Sequence, residues 1–145
     1  MLGKPRVLPN EAFFETVKAL LDEGKQVRIP VKGKSMRPFL EDGDTVMLVS
    51  AEDRPIRWGT VVLARVTTGD IILHRVVFRN KNRLWLMGDA HVRQREQTTV
   101  ENVLAIGKAE SLGRRCVVVL WFLALPFRGY ALRILDRLNR KNNKK

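Results

Sequence analysis

The chain has 145 residues and a formal charge of +12, from 27 basic and 15 acidic side chains. That length fits one domain with a real core, and 45% hydrophobic content is too high for general disorder. One cysteine and two histidines exclude a disulfide framework and a cysteine-rich zinc module, so no metal or cofactor is expected.

Residues 1–20 lack an uninterrupted apolar core and a small-residue cleavage site, so no secretory signal is read there. Pro9-Asn10 opens a helix over 10–23, with Asn10 as N-cap and Glu11 in the first turn. Phe13, Phe14, Val17, Leu20 and Leu21 form its apolar stripe, and Gly24 stands where a C′ residue belongs. After Gly24 the period becomes two. Val27, Ile29 and Val31 alternate with polar residues, and Pro30 predicts an edge strand.

Further strands are predicted over 45–49, 60–66, 70–79, 83–87 and 103–110, separated by turn signals such as Asp42-Gly43, Thr68-Gly69-Asp70 and Gly88-Asp89. This pattern predicts a mainly β, compact antiparallel body over 1–111 with a leading helix. Residues 112–145 differ. Cys116–Leu125 is a ten-residue apolar run, and as a helix it would span only about 15 Å, half a bilayer core. Phe127, Tyr130, Ala131, Ile134, Leu135 and Leu138 then form a helical stripe opposite Arg128, Arg133, Arg137 and Arg140. The expectation is a C-terminal helical tail, with Cys116 a small buried apolar residue.

The stretch richest in chemistry is Gly33-Lys34-Ser35-Met36-Arg37-Pro38-Phe39-Leu40. A serine just past a strand, between a glycine and a proline, exposes its hydroxyl. Its own N–H is then free to meet a bound carbonyl, which suits a nucleophile with half an oxyanion hole. Such a serine needs a base. His74 lies inside a predicted strand and is held more rigidly than His91, which reads as an exposed turn residue. An acid that fixes the imidazole tautomer would complete the set, and Asp89 and Glu96 are the two candidates. Asp44 reads as a turn former. Lys34 is the immediate neighbour of Ser35, so its side chain points to the other face.

Ser-Met-x-Pro-x-Leu-x-x-Gly-Asp-x-Val, then His-Arg-Val, then Leu-x-x-Gly-Asp, resembles the signal peptidase I and LexA-type serine peptidase clan. The likeness runs from about Val27 to Lys108 and is greatest to small stand-alone members of Bacteroides-type bacteria. The resemblance implies a serine endopeptidase with Ser35 as nucleophile and His74 as general base, where bacterial signal peptidases carry a lysine. It also implies Met36 and Pro38 beside the substrate, and a peptide or protein as that substrate. Two departures stand out. Gly33 occupies the place of a serine that aids the oxyanion hole, and the aspartates usually found beyond Gly88-Asp89 are missing.

A catalytically weak or inactive peptide-binding module on the same fold is the alternative reading. Nucleic acid is not an expected partner, because the charge is unevenly placed. Residues 1–111 hold 18 basic and 14 acidic residues, whereas residues 112–145 hold 9 and 1. The excess therefore belongs to the tail. An apolar, arginine-rich tail suits an anionic membrane surface, reached through residues 116–145. The expected location is cytoplasmic, peripheral to the inner face of the membrane.

Overall fold

The computed structural model describes residues 10–52, 54–108 and 112–142. Helix α1 (Asn10–Asp22) buries Val17 and Leu21 and half-buries Phe13, Phe14 and Leu20, the predicted stripe. Gly24 ends it at φ +74°, a conformation a β-carbon would strain. The Gly24 N–H donates to Leu21 O and the Lys25 N–H to Leu20 O, the paired bonds of a Schellman cap. Pro9, the side chain of Asn10, Glu110 and the last three residues lie outside the described residues.

Seven strands follow: β1 (Val27–Pro30), β2 (Thr45–Ser50), β3 (Val61–Arg65), β4 (Ile71–Asn80), β5 (Arg83–Met87), β6 (Glu96–Thr99) and β7 (Val103–Gly107). They form one sheet in the order β1-β2-β7-β3-β4-β5-β6, with every neighbouring pair antiparallel. Strand β1 sits at an edge, as Pro30 predicts. The last strand, β7, fills the middle between β2 and β3. Strand β6, at the other edge, has no counterpart in the sequence reading. Its residues Glu96-Gln97-Thr98-Thr99 offer no apolar alternation, and only Thr98 among them is buried.

The central strands are covered on both faces, which is why β3 reads as a continuous apolar run. Val62 and Ala64 point into one cluster with Val76, Leu84, Leu86 and Ile106. Leu63 points the other way, into a cluster with Leu48, Ala105 and the α1 residues Val17 and Leu21. A third, smaller cluster joins Met87 at the end of β5 to Val118 and Phe122 of the tail.

The tail is helical, as expected: α2 (Leu112–Leu123), a short 3-10 turn (Leu125–Phe127) and α3 (Arg128–Asn142). Its faces differ from the sequence reading. Arg128, expected on the solvated face, is fully buried. Its Nη2 donates to the Asp89 carbonyl at 2.6 Å, and the guanidinium lies over the rings of Phe122 and Trp121. Cys116, expected inside, is exposed. The reason is rotational. Val118, Trp121 and Phe122 share the face that meets β5, so Cys116, Leu120 and Leu123 face outward.

The buried carboxylate at this junction is paired, whereas Arg128 keeps Nε and Nη1 buried with no hydrogen-bond partner among the described residues. Asp89 is fully buried and accepts Arg75 Nε at 2.8 Å and Nη2 at 2.9 Å, while Arg75 Nη1 donates to the Gly59 carbonyl at 2.7 Å. A fork-on-carboxylate pair away from water depends on both partners. Asp89→Ala is expected to lower stability by about 3–5 kcal/mol in urea unfolding. Asp89→Ala combined with Arg75→Met should recover a large part of that loss, because an apolar pair leaves no charge uncompensated.

Candidate active site

Ser35 sits in the loop between β1 and β2. The loop is closed at its base by Val31 N–H to Asp44 O and Gly43 N–H to Val31 O. Asp42 Oδ1 accepts the Gly33 N–H and Asp44 Oδ2 accepts the Glu41 N–H, so both aspartates work as turn formers. The Arg37–Pro38 peptide is cis. Ser35 itself is half-buried, and among the described residues its hydroxyl and its N–H make no hydrogen bond. Met36 is 1% exposed. Of the two residues expected beside the substrate, Met36 is thus buried and Pro38 half-exposed.

The partner of this loop is the turn after β5. The Ala90 N–H donates to the Ser35 carbonyl at 2.9 Å, and the His91 N–H donates to the Gly88 carbonyl. The β4–β5 register pairs Arg75 with Met87, so His74 comes to lie beside Gly88. A β-carbon on Gly88 would stand 2.5 Å from Ser35 O, 3.0 Å from His91 Nδ1 and 3.2 Å from His74 Nε2. Three groups from three segments thus converge on one point, and the glycine leaves the room for them.

His74 is buried in β4 with Val62 of β3 opposite. Its Nδ1 lies 3.1 Å from Glu96 Oε2, and Gln94 Nε2 donates to Glu96 Oε1 at 3.1 Å. A carboxylate on Nδ1 selects the tautomer with the proton there, which leaves Nε2 as an acceptor on the Ser35 side. Burial pushes His74 below its ordinary pKa, outweighing the Glu96 carboxylate, which raises it. The imidazole therefore stays neutral at neutral pH.

Of the two acids expected as candidates, Glu96 is the one hydrogen-bonded to His74. Asp89 commits its carboxylate oxygens to Arg75, which corrects its expected place on the imidazole. His91, expected to be an exposed loop residue, is half-buried, and its ring meets His74 edge-on at 5.3 Å between centroids. Its Nδ1 is buried with no hydrogen-bond partner. The sequence signal for it was proximity alone, two residues after Asp89. Among the described residues, His74, His91 and Glu96 are also the set whose ligand-type atoms lie close enough for a cation, within 4.8 Å of one another. A broad hollow lined by Leu40, Arg57, Trp58, Arg75, Lys108 and Val118 includes neither Ser35 nor His74.

The family model described as Peptidase S24-like matches residues 5–110, well over half of the chain. The chain belongs to that family. The mainly antiparallel β architecture with a leading helix agrees with it, as does the likeness to the clan of LexA and signal peptidase I. The matched residues include Ser35, His74, Asp89 and Glu96 and stop before α2. No curated protein matches the chain.

Gly88→Ala tests the convergence. Its methyl would meet a backbone oxygen at 2.5 Å, so the Ser35 loop and the Gly88 turn would have to separate. The expected result is a stability loss of about 1–3 kcal/mol. Amide chemical-shift changes should centre on Ser35 and Ala90, with β1 and β2 little affected.

Proposed function

We propose that this member of the Peptidase S24-like family is a serine endopeptidase in which Ser35 attacks the peptide carbonyl and His74 is the general base. The observation that carries the reading is the shared point beside Gly88. The main-chain carbonyl of Ser35 and the Nε2 of a buried, Glu96-bonded imidazole both lie within 3.2 Å of the place a Gly88 β-carbon would take, which brings the serine beside the base.

The chemistry follows from those positions. Nε2 of neutral His74 takes the Ser35 hydroxyl proton as Oγ bonds to the substrate carbonyl carbon. The resulting imidazolium is stabilised by the Glu96 carboxylate on Nδ1. The developing oxyanion meets the Ser35 N–H, which has no other partner among the described residues. The imidazolium then protonates the departing amine as the C–N bond breaks. A water deprotonated by Nε2 attacks the acyl ester, and the proton returns to Oγ with release of the acid. Gly33 contributes no hydroxyl to the oxyanion, so this hole has fewer donors than a full one, and each missing donor costs about 10²–10³ in rate. A slow enzyme is the expected consequence.

The Ser35 hydroxyl makes no hydrogen bond to His74. Nucleophile–base bonds commonly tighten only when substrate closes the site. The same observation favours the second reading, a peptide-binding module that no longer turns over. A fluorophosphonate probe separates the two. Covalent labelling of wild type, lost in both Ser35→Ala and His74→Ala, supports the peptidase. Equal labelling of wild type and Ser35→Ala, or no labelling of either, supports the binding module.

Glu96 is proposed as a positioning residue, and pH gives the test. The base must be neutral, so the labelling rate falls as pH drops through the His74 pKa. That value is lowered by burial, and the acid limb is expected below 6.5. The groups that act on it are Glu96 and Asp89, which raise it, and His91, which lowers it. Glu96→Gln removes a charge that favours the imidazolium. It should move the acid limb to still lower pH while reducing the plateau rate by about 10-fold or more. An acid limb that stays in place would assign Glu96 a merely structural role.

A further inference from the structure

The C-terminal helices present an apolar face that none of the described residues covers. Leu123 is 75% exposed, Phe127 71%, Tyr130 69% and Leu120 64%, with Ile134 and Leu138 also exposed. In α3, Tyr130, Ile134 and Leu138 follow the spacing of one helical face, and the exposed Arg133, Arg137 and Arg140 flank it. Monomeric proteins rarely leave such a run of large apolar side chains in water, particularly one rimmed by a single sign of charge. The family model ends at residue 110, so the peptidase fold does not account for this face.

We infer that this face docks on an anionic lipid bilayer, with the helices lying along the surface. Length argues for lying on the membrane and against crossing it. Among the described residues no single helix is long and apolar enough to span; α2, with 12 residues, and α3, with 15, reach the length and hydropathy of a span only as a pair, and a bend of 114° keeps that pair from forming one straight crossing. Charge argues for lipid as the occupant. Residues 112–145 carry nine basic residues and one acid. That acid, Asp136, is bound to Arg37 of the Ser35 loop. A second copy would bring two such cationic tails together, whereas anionic head groups neutralise them. Arginine stems would lie over the acyl boundary with the guanidinium groups among phosphates, while Leu123, Phe127, Tyr130 and Ile134 enter it. Within the segment expected to reach the membrane, residues 116–145, Trp121 and Phe122 do not belong to the docking face. They are used inside, Phe122 buried and Trp121 bonded through Nε1 to the Asp89 carbonyl at 2.8 Å. The inserted set is therefore the next one round the helix.

Docking does not depend on Ser35 being a nucleophile, and its readout is binding. The full-length protein is sedimented with vesicles of phosphatidylcholine alone, or of two parts phosphatidylcholine to one part phosphatidylglycerol. The expected result is strong partition onto the mixed vesicles and little onto the neutral ones, weakened by added salt. Leu123→Asp with Ile134→Asp should reduce that partition about tenfold or more, and Arg133→Gln with Arg137→Gln should remove most of the anionic preference. Circular dichroism of each variant must match wild type, which separates loss of docking from loss of fold. No partition onto either vesicle, or partition unchanged in Leu123→Asp/Ile134→Asp, overturns the inference. So does a dimer that Leu123→Asp converts to monomer in the absence of any vesicle binding, which would make the face a contact between copies.

Discussion

A carboxylate removed from water must be matched by a cation, and the Asp89–Arg75 pair is where this molecule meets that requirement. Asp89 belongs to the turn that ends β5, and Arg75 to the middle of β4, so the pair fixes the turn against the sheet. Two further donors then use the carbonyl of the same residue, Trp121 Nε1 from α2 and Arg128 Nη2 from α3. One residue later, the Ala90 N–H holds the carbonyl of Ser35. The serine loop, both histidines and the tail are thereby referred to one short segment. The carboxylate locks it inside the sheet, and its main-chain groups reach outward.

That arrangement separates two acids by task. Asp89 is spent on an always-charged guanidinium, where it balances charge and holds position. Glu96 faces a group that changes its charge, and it is less buried, with Gln94 on its second oxygen. A carboxylate bound to a fixed cation has little to gain when a neighbouring imidazole is protonated. One bonded directly to that imidazole is placed to respond. Burial holds His74 neutral at rest, and Glu96 offsets the same burial once a proton arrives. The two effects oppose each other on one ring, which suits the base role proposed for it.

Much of this was legible in the chain. The apolar period changes from helical to alternating at Gly24, the turn residues mark most strand ends, and Pro30 marks an edge. Ser35 and His74 were visible because their surroundings are local patterns: a glycine–proline turn and an apolar strand. The acid was not decided, and the reason is β6. Edge strands are held by backbone pairing with little burial, so Glu96–Thr99 carries no hydrophobic signature. Asp89 stood beside Glu96 as a candidate orienter. Only the register, which sets Arg75 against Met87, reveals where its oxygens go. Arg128 was misread for a related reason. Helical periodicity ranks faces by polarity, and it is blind to a cation buried on a carbonyl and two aromatic rings.

The charge asymmetry of the sequence acquires a mechanical meaning from the contacts of the tail. Among the described residues its polar links to the body include the Asp89 carbonyl and Arg37 of the Ser35 loop. Arg37 is itself mostly buried, two residues from the serine, and reaches Asp136 of α3 as well as Glu41 of its own loop. The tail's one acid is thus used inward, on the Ser35 loop, and the rim it leaves outward is cationic. An amphiphile built this way cannot settle on a charged surface without carrying the Ser35 loop and the Gly88 turn with it. Both are tied to it by charge-assisted or buried bonds and not by a free linker. The high net charge of the protein is in this sense a property of where the serine is held.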